Sequence, residues 1–287
     1  MLYPNADAYL GATHKAVALF GMSGLGKTRM AMLLRGGGDW FHYSVDYRIG
    51  TRYMDEHIAD NFKRAAMDVP FLRELLMSDS INIASNLSFE NLAPLSTFLG
   101  KPGDPERGGI AFAEYQRRQG LHRTAEISAM IDTVHFIDRA RGIYGYPHFL
   151  CDTSGSLCEV VDAGNPEDPV LSAIAPHILL VQIRGTADDA DELVRRFDKA
   201  PKPMYYTPDF LMESWSAYLA ETGHAPDRVN PDDFIRYGFR RLVSDRLPRY
   251  AAIADHWGIH VDAVDVEKVQ TSGDFDALIA GALETAA

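Results

Sequence analysis

A glycine-rich segment near the start of the chain has the residue types and spacing of a phosphate-binding loop. The eight residues Gly21-Met22-Ser23-Gly24-Leu25-Gly26-Lys27-Thr28 match the P-loop pattern G-x-x-x-x-G-K-[S/T] in full. The glycines allow a tight turn in which successive backbone N–H groups face phosphate oxygens. In this pattern the lysine contacts the β- and γ-phosphates, and the final hydroxyl occupies one magnesium position. The segment therefore predicts a binding site for a nucleoside triphosphate with Mg²⁺.

The elements on either side of this loop fit that prediction. Lys15–Phe20 is an apolar run typical of a buried strand, and residues 28–35 are strong helix formers. A loop in this position directs bound phosphate to the positive end of the helix dipole. No guanine-specific N/T-K-x-D pattern follows a late strand. We therefore expect ATP rather than GTP.

Two aspartates follow predicted strands and are candidates for the rest of the site. Asp152 ends the apolar run Pro147–Asp152, as expected of the second group that holds magnesium, although Asp is also common in plain turns. Asp46 ends the aromatic run 40–45, a position suited to a group beside an attacking hydroxyl. Ligands of parallel α/β sheets bind at the carboxyl ends of the strands. We therefore predict that Lys27, Asp46 and Asp152 converge as catalytic residues, and that Thr28 and Asp152 bind the metal.

Arginines near the predicted site are candidates for substrate or lid contacts. Two of them follow Asp46, one ends a later strand, one lies on the helix after that strand, and one belongs to an arginine-rich stretch at 236–249. Surface charge and structural salt bridges explain these positions equally well. The candidates are Arg48, Arg52, Arg184, Arg196 and Arg246. Glu159, seven residues after Asp152, is expected at the surface.

The order of patterns predicts an α/β fold. Strands alternating with helices predict a three-layer sandwich around a mainly parallel five-stranded sheet, formed by residues 1–46 and 147–287. Helical periodicity dominates 47–146, which is more than a crossover between two strands requires. We predict that 47–146 is a helical insertion acting as a lid or substrate subdomain. Within it, separate helices are expected near 109–120 and 124–141, and a strand at Ser80–Ala84.

Composition excludes several classes of function. The net charge of −12 argues against a nucleic-acid partner. No run approaches the roughly 20 apolar residues of a membrane span, and the N-terminus lacks the features of a secretory signal. Only two cysteines are present, Cys151 and Cys158, which suits a reducing compartment. We expect a cytoplasmic protein.

The sequence resembles the small-molecule and nucleotide kinases of the P-loop class, among which the shikimate and gluconate kinases are most similar. The likeness covers about half of the chain and is based on three places: the P-loop, the strand end Ser44-Val45-Asp46, and the segment Asp245–Asp255. The second place is similar to the family's D-x-D strand end, with Ser44 instead of the first acid. The third is similar to an R-x-x-x-Y-x-x-x-A helix before the last strand. The resemblance implies that Asp46 contacts the substrate hydroxyl and that Arg246 contacts the substrate.

Two functions are the main alternatives at this point, and a third, a nucleic-acid-modifying P-loop enzyme, is disfavoured by the net charge of −12. The first is a kinase that transfers the γ-phosphoryl group of ATP to an unidentified small molecule, with the insertion as acceptor pocket and lid. The second is an ATPase switch whose insertion, 47–146, binds a protein partner. An exposed apolar surface on the insertion would favour the second.

Overall fold

The computed structural model describes residues 2–286 and contains one five-stranded sheet. Its strands are β1 (Ala16–Phe20), β2 (Trp40–Ser44), β3 (His148–Asp152), β4 (Leu179–Arg184) and β5 (Gly258–Asp262). All neighbouring strands are parallel, in the order β2-β3-β1-β4-β5. The predicted α/β class and five strands are confirmed, and the sheet is entirely parallel.

Helices occupy most of the chain between the strands, in an arrangement that fits a three-layer sandwich. The helices are α1 (Ala6–Leu10), α2 (Lys27–Gly36), α3 (Val45–Arg48), α4 (Asp55–Met67), α5 (Pro70–Met77), α6 (Ala93–Leu99), α7 (Phe112–Gly142), α8 (Leu157–Val160), α9 (Leu171–Ile174), α10 (Ala187–Lys199), α11 (Pro208–Thr222), α12 (Pro231–Trp257), α13 (Ala263–Lys268) and α14 (Ser272–Ala286). A π-helical turn spans Ile49–Tyr53, and 3₁₀ turns span Pro105–Arg107 and Pro226–Arg228. No helix within residues 2–286 combines the length and apolar character needed to cross a bilayer.

The central strands β1 and β4 are buried and consist mainly of apolar residues. Every residue of β1 is buried, and so is every residue of β4 except Arg184. Continuous apolar runs of this kind are typical of parallel strands that are covered on both faces. At the amino edge of the sheet, the indole of Trp40 meets the ring of Phe275 edge to face, with centroids 5.5 Å apart.

The chain forms two compact units. The first comprises the residues up to Val45, Glu126–Pro201, and the residues from Arg236 onward, and it contains all five strands. The second comprises Asp46–Ala125 and Lys202–Ile235 and is helical. The prediction that 47–146 acts as a lid or substrate subdomain stays a prediction.

Two local predictions for 47–146 are wrong. Ser80–Ala84 forms no strand. Its alternating pattern is insufficient because a strand needs a neighbour to complete its backbone hydrogen bonds, and no strand lies among the described residues of its unit. The helices expected near 109–120 and 124–141 are the single helix α7. Gly120 lies inside it, since a glycine costs a helix only about 1 kcal/mol relative to alanine.

Candidate functional site

The glycine-rich loop, Gly21–Thr28, connects the end of β1 to the start of α2. Gly21, Gly24 and Gly26 have φ values of +129°, +86° and +96°, which residues with a side chain rarely adopt. A Cβ on Gly21 would lie 2.6 Å from the carbonyl oxygen of Ile183 on β4. The turn therefore favours glycine at all three positions, and the close approach to β4 also requires it at Gly21.

Backbone N–H groups of the loop are left without internal partners. Within residues 2–286, the N–H groups from Met22 to Gly26 donate to no backbone or side-chain acceptor. Ser23 and Gly24 are exposed, so an external acceptor can reach their N–H groups. The N–H groups from Met22 to Gly26 belong to consecutive residues that lead into the N-terminus of α2. Such a cluster of backbone donors can bind an anion.

Lys27 is a buried cation inside the loop. Its Nζ donates to the carbonyl oxygens of Gly21 and Met22, at 2.8 and 2.9 Å, and its side chain is among the buried charged groups of the structure. Its charge also acts on the Asp152 carboxylate, whose pKa it lowers, and hydrogen bonds from an ammonium group to an anion are stronger than those to neutral carbonyls. An anion that entered the loop would therefore be favoured by the unpaired N–H groups and by Lys27 together.

Thr28 and Asp152 meet at the carboxyl edge of the sheet. The Thr28 Oγ1 donates to the Asp152 Oδ2 at 3.0 Å. Their proximity follows from strand order, because β3 lies beside β1 and Asp152 pairs in register with Leu19. The aspartate is thus one residue before the level at which β1 ends and the glycine-rich loop begins.

The connections that follow β1 and β3 run in opposite directions across the sheet. The chain moves from β1 across β3 to β2, and later from β3 across β1 to β4. Since such crossovers are right-handed in almost all proteins, the two connections lie on opposite faces of the sheet. A crevice is expected at the carboxyl ends of β1 and β3, which is where open α/β sheets bind ligands.

The environment of Asp152 disfavours its negative charge. Burial raises the pKa of this carboxyl, while the charge of Lys27 and the hydrogen bond from Thr28 oppose the rise. The nearby His42 Nε2 is 3.9 Å from the Asp152 Oδ2. Burial, assisted by the charge of Arg35, lowers the pKa of His42 to about 4, so the imidazole is neutral at pH 7 and adds no positive charge. A further cation at this position would stabilise the Asp152 carboxylate.

The donor set at this position fits Mg²⁺. A hydroxyl and a carboxylate are the hard oxygen ligands that Mg²⁺ prefers, and this ion is commonly held by one or two carboxylates together with phosphates and waters. Within residues 2–286 there is no group of three or more His, Cys, Asp or Glu side chains that could hold a metal by themselves. Thr28 and Asp152 would hold Mg²⁺ together with phosphate oxygens and waters.

Two of the candidate arginines in the first unit are exposed. Arg184 pairs with Asp262 at 2.8 Å. Arg196, on α10, is near the glycine-rich loop: its Nη2 is 2.7 Å from the position that a Cβ on Gly24 would occupy. It also lies 3.8 Å from Glu192. Of these two exposed arginines, Arg196 is the one that lies close to the glycine-rich loop.

The third candidate of the first unit, Arg246, is buried in an ion pair. Its Nη2 is 2.5 Å from the Glu159 Oε2, and both side chains are almost fully excluded from solvent. The prediction that Glu159 lies at the surface is therefore wrong. The polar turn after β3 passes into the short helix α8, which directs Glu159 inward among Leu157, Cys158 and Val160.

The remaining candidates belong to the second unit. Asp46 is the second residue of α3 and is half-buried. The Arg48 guanidinium lies over the ring of Tyr53, 5.6 Å from its centroid, and Arg52 is exposed in the π-helical turn. The structure thus brings together Lys27, Thr28 and Asp152, and the convergence of Asp46 with them stays a prediction.

One buried acid of this region was missed by the sequence reasoning. Glu126, on α7, has no solvent exposure, and its carboxylate accepts hydrogen bonds from Ser154 and Ser156 in the turn that follows Asp152. A sequence signal was available. Glu126 precedes Ala129 and Thr133 by three and seven residues, so it lies on the same buried stripe of the helix.

Comparisons with known proteins give no further identification. The chain matches no family model, no curated protein and no solved structure.

Proposed function

We propose that the protein binds ATP with Mg²⁺ at the glycine-rich loop and transfers the γ-phosphoryl group to a small molecule. The observation that supports this most directly is the grouping of Lys27, Thr28 and Asp152 beside a loop with unpaired N–H groups. Cation, hydroxyl, carboxylate and amide donors are what a metal–triphosphate complex requires. The proposal is consistent with the resemblance to P-loop kinases.

In the proposed reaction, an acceptor hydroxyl oxygen attacks the γ-phosphorus, and the bond from that phosphorus to the β–γ bridging oxygen breaks. The loop amides and Lys27 hold the phosphates and neutralise the charge that grows on their oxygens. For this, Lys27 exchanges its bonds to Gly21 and Met22 for bonds to phosphate, and its three N–H donors permit this. Thr28 and Asp152 would hold Mg²⁺, and the ion would supply further neutralisation of the phosphate charge.

The acceptor proton needs a base. The proposed base is Asp46, which follows the carboxyl end of β2 by two residues in the chain. The end of β2 is Ser44, and Ser44 pairs in register with Asp152. Asp46→Asn should leave ATP affinity within about threefold of wild type and reduce transfer by roughly 10²–10⁴-fold, the usual contribution of general base catalysis. If Asp46→Asn instead abolishes ATP binding, Asp46 belongs to the metal shell.

The proposal is tested in two stages. Calorimetry of the purified protein with ATP and Mg²⁺ should show binding that is lost in Lys27→Ala. Incubation with [γ-³²P]ATP and a metabolite mixture should then label a small organic product. Binding without any labelled product except free phosphate contradicts the transfer reaction, and absence of binding contradicts the site.

A second function, an ATPase switch that binds a protein partner, is favoured by one observation. Helix α5 has no buried residue, and its Phe71 and Met77 are 69% and 76% exposed. Val69, just before the helix, is also exposed. Apolar side chains gathered on one exposed helix are typical of a contact surface.

The double variant Phe71→Ser/Met77→Ser separates the two functions. In a switch, it should abolish ATP-dependent capture of a partner and leave ATP hydrolysis intact. A kinase should retain full transfer in this variant, and partner capture that is identical with and without ATP would contradict the switch.

A further inference from the structure

A buried acid holds the turn that follows Asp152. Both carboxylate oxygens of Glu126 accept hydrogen bonds from side chains of this turn: Oε1 from Ser154 and Oε2 from Ser156, the latter at 2.7 Å. The side chain has no solvent exposure. Burying a carboxylate is costly unless strong donors satisfy it, and two hydroxyls close to it meet that need. The position of Glu126 is therefore tied to the position of the turn.

The other residues of the turn are held as well. The Thr153 N–H and Oγ1 both donate to the Leu19 carbonyl of β1, at 3.2 and 3.1 Å. The Tyr250 hydroxyl, from α12, donates to the Gly155 carbonyl. Each of the residues 153–156 thus has a partner outside the turn: Leu19 for Thr153, Glu126 for the two serines, and Tyr250 for Gly155. A turn that is fixed by buried side chains over its whole length has little freedom to change the direction of its flanking residues.

The turn lies between two parts of the proposed nucleotide site. Asp152 directly precedes it and accepts the hydrogen bond of Thr28. Gly155 lies against the glycine-rich loop, since a Cβ on Gly155 would be 3.1 Å from the Ser23 Oγ. A displacement of the turn would therefore change both the direction of the Asp152 carboxylate and the spacing between Gly155 and Ser23.

We propose that Glu126 is a positioning residue for the metal–nucleotide site. It fixes Ser154 and Ser156, and through them the direction in which Asp152 faces Thr28. The inference rests on the proposed binding of ATP with Mg²⁺ and adds a residue that does not touch the nucleotide. Residues that orient metal ligands from the outside typically contribute 10–100-fold to metal affinity.

The test measures how Mg²⁺ strengthens the binding of a fluorescent ATP analogue, which needs no turnover. Glu126→Ala should raise the Mg²⁺ concentration for half-maximal strengthening by about 10–100-fold. Affinity for the analogue in EDTA should change by less than about threefold, because Lys27 and the loop amides are untouched. Glu126→Gln keeps one acceptor oxygen and should have an intermediate effect. The double variant Ser154→Ala/Ser156→Ala removes the donors instead and should resemble Glu126→Ala.

A double-mutant cycle gives the specific readout. If Glu126 acts through the two serines, the triple variant Glu126→Ala/Ser154→Ala/Ser156→Ala should need no more Mg²⁺ for half-maximal strengthening than Glu126→Ala alone. Ile279→Ala, which creates a cavity in α14 elsewhere in the unit, is the control for a general loss of stability. It should lower the melting temperature without changing the Mg²⁺ dependence.

The possible results distinguish a positioning role of Glu126 from a general loss of stability and from a failure of the proposed function. A folded Glu126→Gln or serine double variant with wild-type Mg²⁺ dependence overturns the positioning role, even if Glu126→Ala fails to fold. A shift in Ile279→Ala as large as that in the Glu126 variants would show a general stability effect and also overturn it. If the wild-type protein does not bind the analogue at all, the proposed function fails, which is recognisable before any variant is made.

Discussion

The Thr28 hydroxyl donates to the Asp152 carboxylate across 3.0 Å, although the two residues are 124 positions apart in the chain. The contact depends on β3 pairing directly with β1, so that Asp152 arrives beside the start of α2. Both groups are hard oxygen donors, and burial raises the pKa of the carboxyl. The pair thus has the composition of a metal site and an unfavourable charge that a cation would compensate.

Replacing Lys27 with alanine should weaken the binding of ATP with Mg²⁺ by at least about tenfold, since a charge-assisted bond to phosphate contributes more than about 1.4 kcal/mol. Calorimetric titration measures this directly. Lys268→Ala, which removes an exposed lysine paired with Asp265, is the matched control and should bind normally. Equal ATP-dependent thermal stabilisation in wild type and Lys27→Ala would contradict the assignment of the loop.

Asp152→Asn should affect stability and binding in opposite directions. The raised pKa means that the folded protein disfavours the charge at pH 7, so the uncharged variant without ligand should be at least as stable as wild type. The additional stabilisation by Mg²⁺ with ATP should disappear. Thermal melts with ATP in Mg²⁺ and in EDTA test both parts. Asp262→Asn, a change in an exposed carboxylate at the end of β5, should keep the response to Mg²⁺.

The positions of the candidate residues were most predictable where the pattern is local. Gly21–Thr28 is a contiguous pattern that connects β1 to α2, and Asp152 was selected because an acid after an apolar run marks the carboxyl edge of a parallel sheet. Their binding of nucleotide and metal stays a prediction. The cap of α10 is also a local feature: Thr186 accepts from the Asp189 N–H, three residues further along the chain.

Long-range contacts were not predictable from the sequence. The pairing of Arg246 with Glu159 joins α12 to α8, and no local spacing connects residues 87 positions apart. The burial of Glu126 could have been inferred from its helix stripe, but its partners, Ser154 and Ser156, could not, because they belong to a distant turn. Ser80–Ala84 was predicted as a strand because its alternating pattern indicates only a preference, and strand formation also needs a neighbouring edge.

Gly21→Ala should destabilise the protein more than Gly38→Ala. Both glycines have positive φ, +129° and +88°, so each substitution should cost about 1–3 kcal/mol of backbone strain. Only at Gly21 would the new Cβ also meet a fixed atom, the Ile183 carbonyl at 2.6 Å, whereas Gly38 has open space. That contact should add about 1–3 kcal/mol. Urea denaturation would measure the difference, and equal losses would contradict the close approach of the loop to β4.

Stability should fall in acid partly because of His148. Burial, and then the charge of Lys15, lowers the pKa of this imidazole below its usual value of 6.5. Between the lowered pKa and 6.5 the unfolded chain binds more protons than the folded one, so the free energy of unfolding decreases as pH falls through this window. His148→Asn retains an acceptor for the Lys15 N–H and removes the titration.

The measurement is the free energy of unfolding at pH 7 and at pH 5. The wild type should lose more stability between these values than His148→Asn does. His224→Asn, at an exposed histidine, is the control and should follow the wild type. Parallel pH curves for wild type and His148→Asn would contradict the role of this imidazole.

Arg246 forms a buried ion pair with Glu159, and the resemblance to kinases implies a second role, substrate contact, that one set of variants can test separately. Its ion pair with Glu159 is buried, so Arg246→Met should leave an unpaired buried carboxylate and cost about 3–5 kcal/mol of stability. Burial raises the pKa of Glu159 and the charge of Arg246 opposes this rise, so the carboxylate has most to lose when the arginine is removed. The double variant Arg246→Met/Glu159→Gln removes the stranded charge and should recover most of the lost stability.

If Arg246 also contacts the substrate, as the resemblance to kinases implies, the double variant should fold stably and still show a raised KM for the acceptor. Wild-type KM in a stable double variant would assign Arg246 to the fold alone, whereas a double variant as unstable as Arg246→Met would contradict the importance of the ion pair.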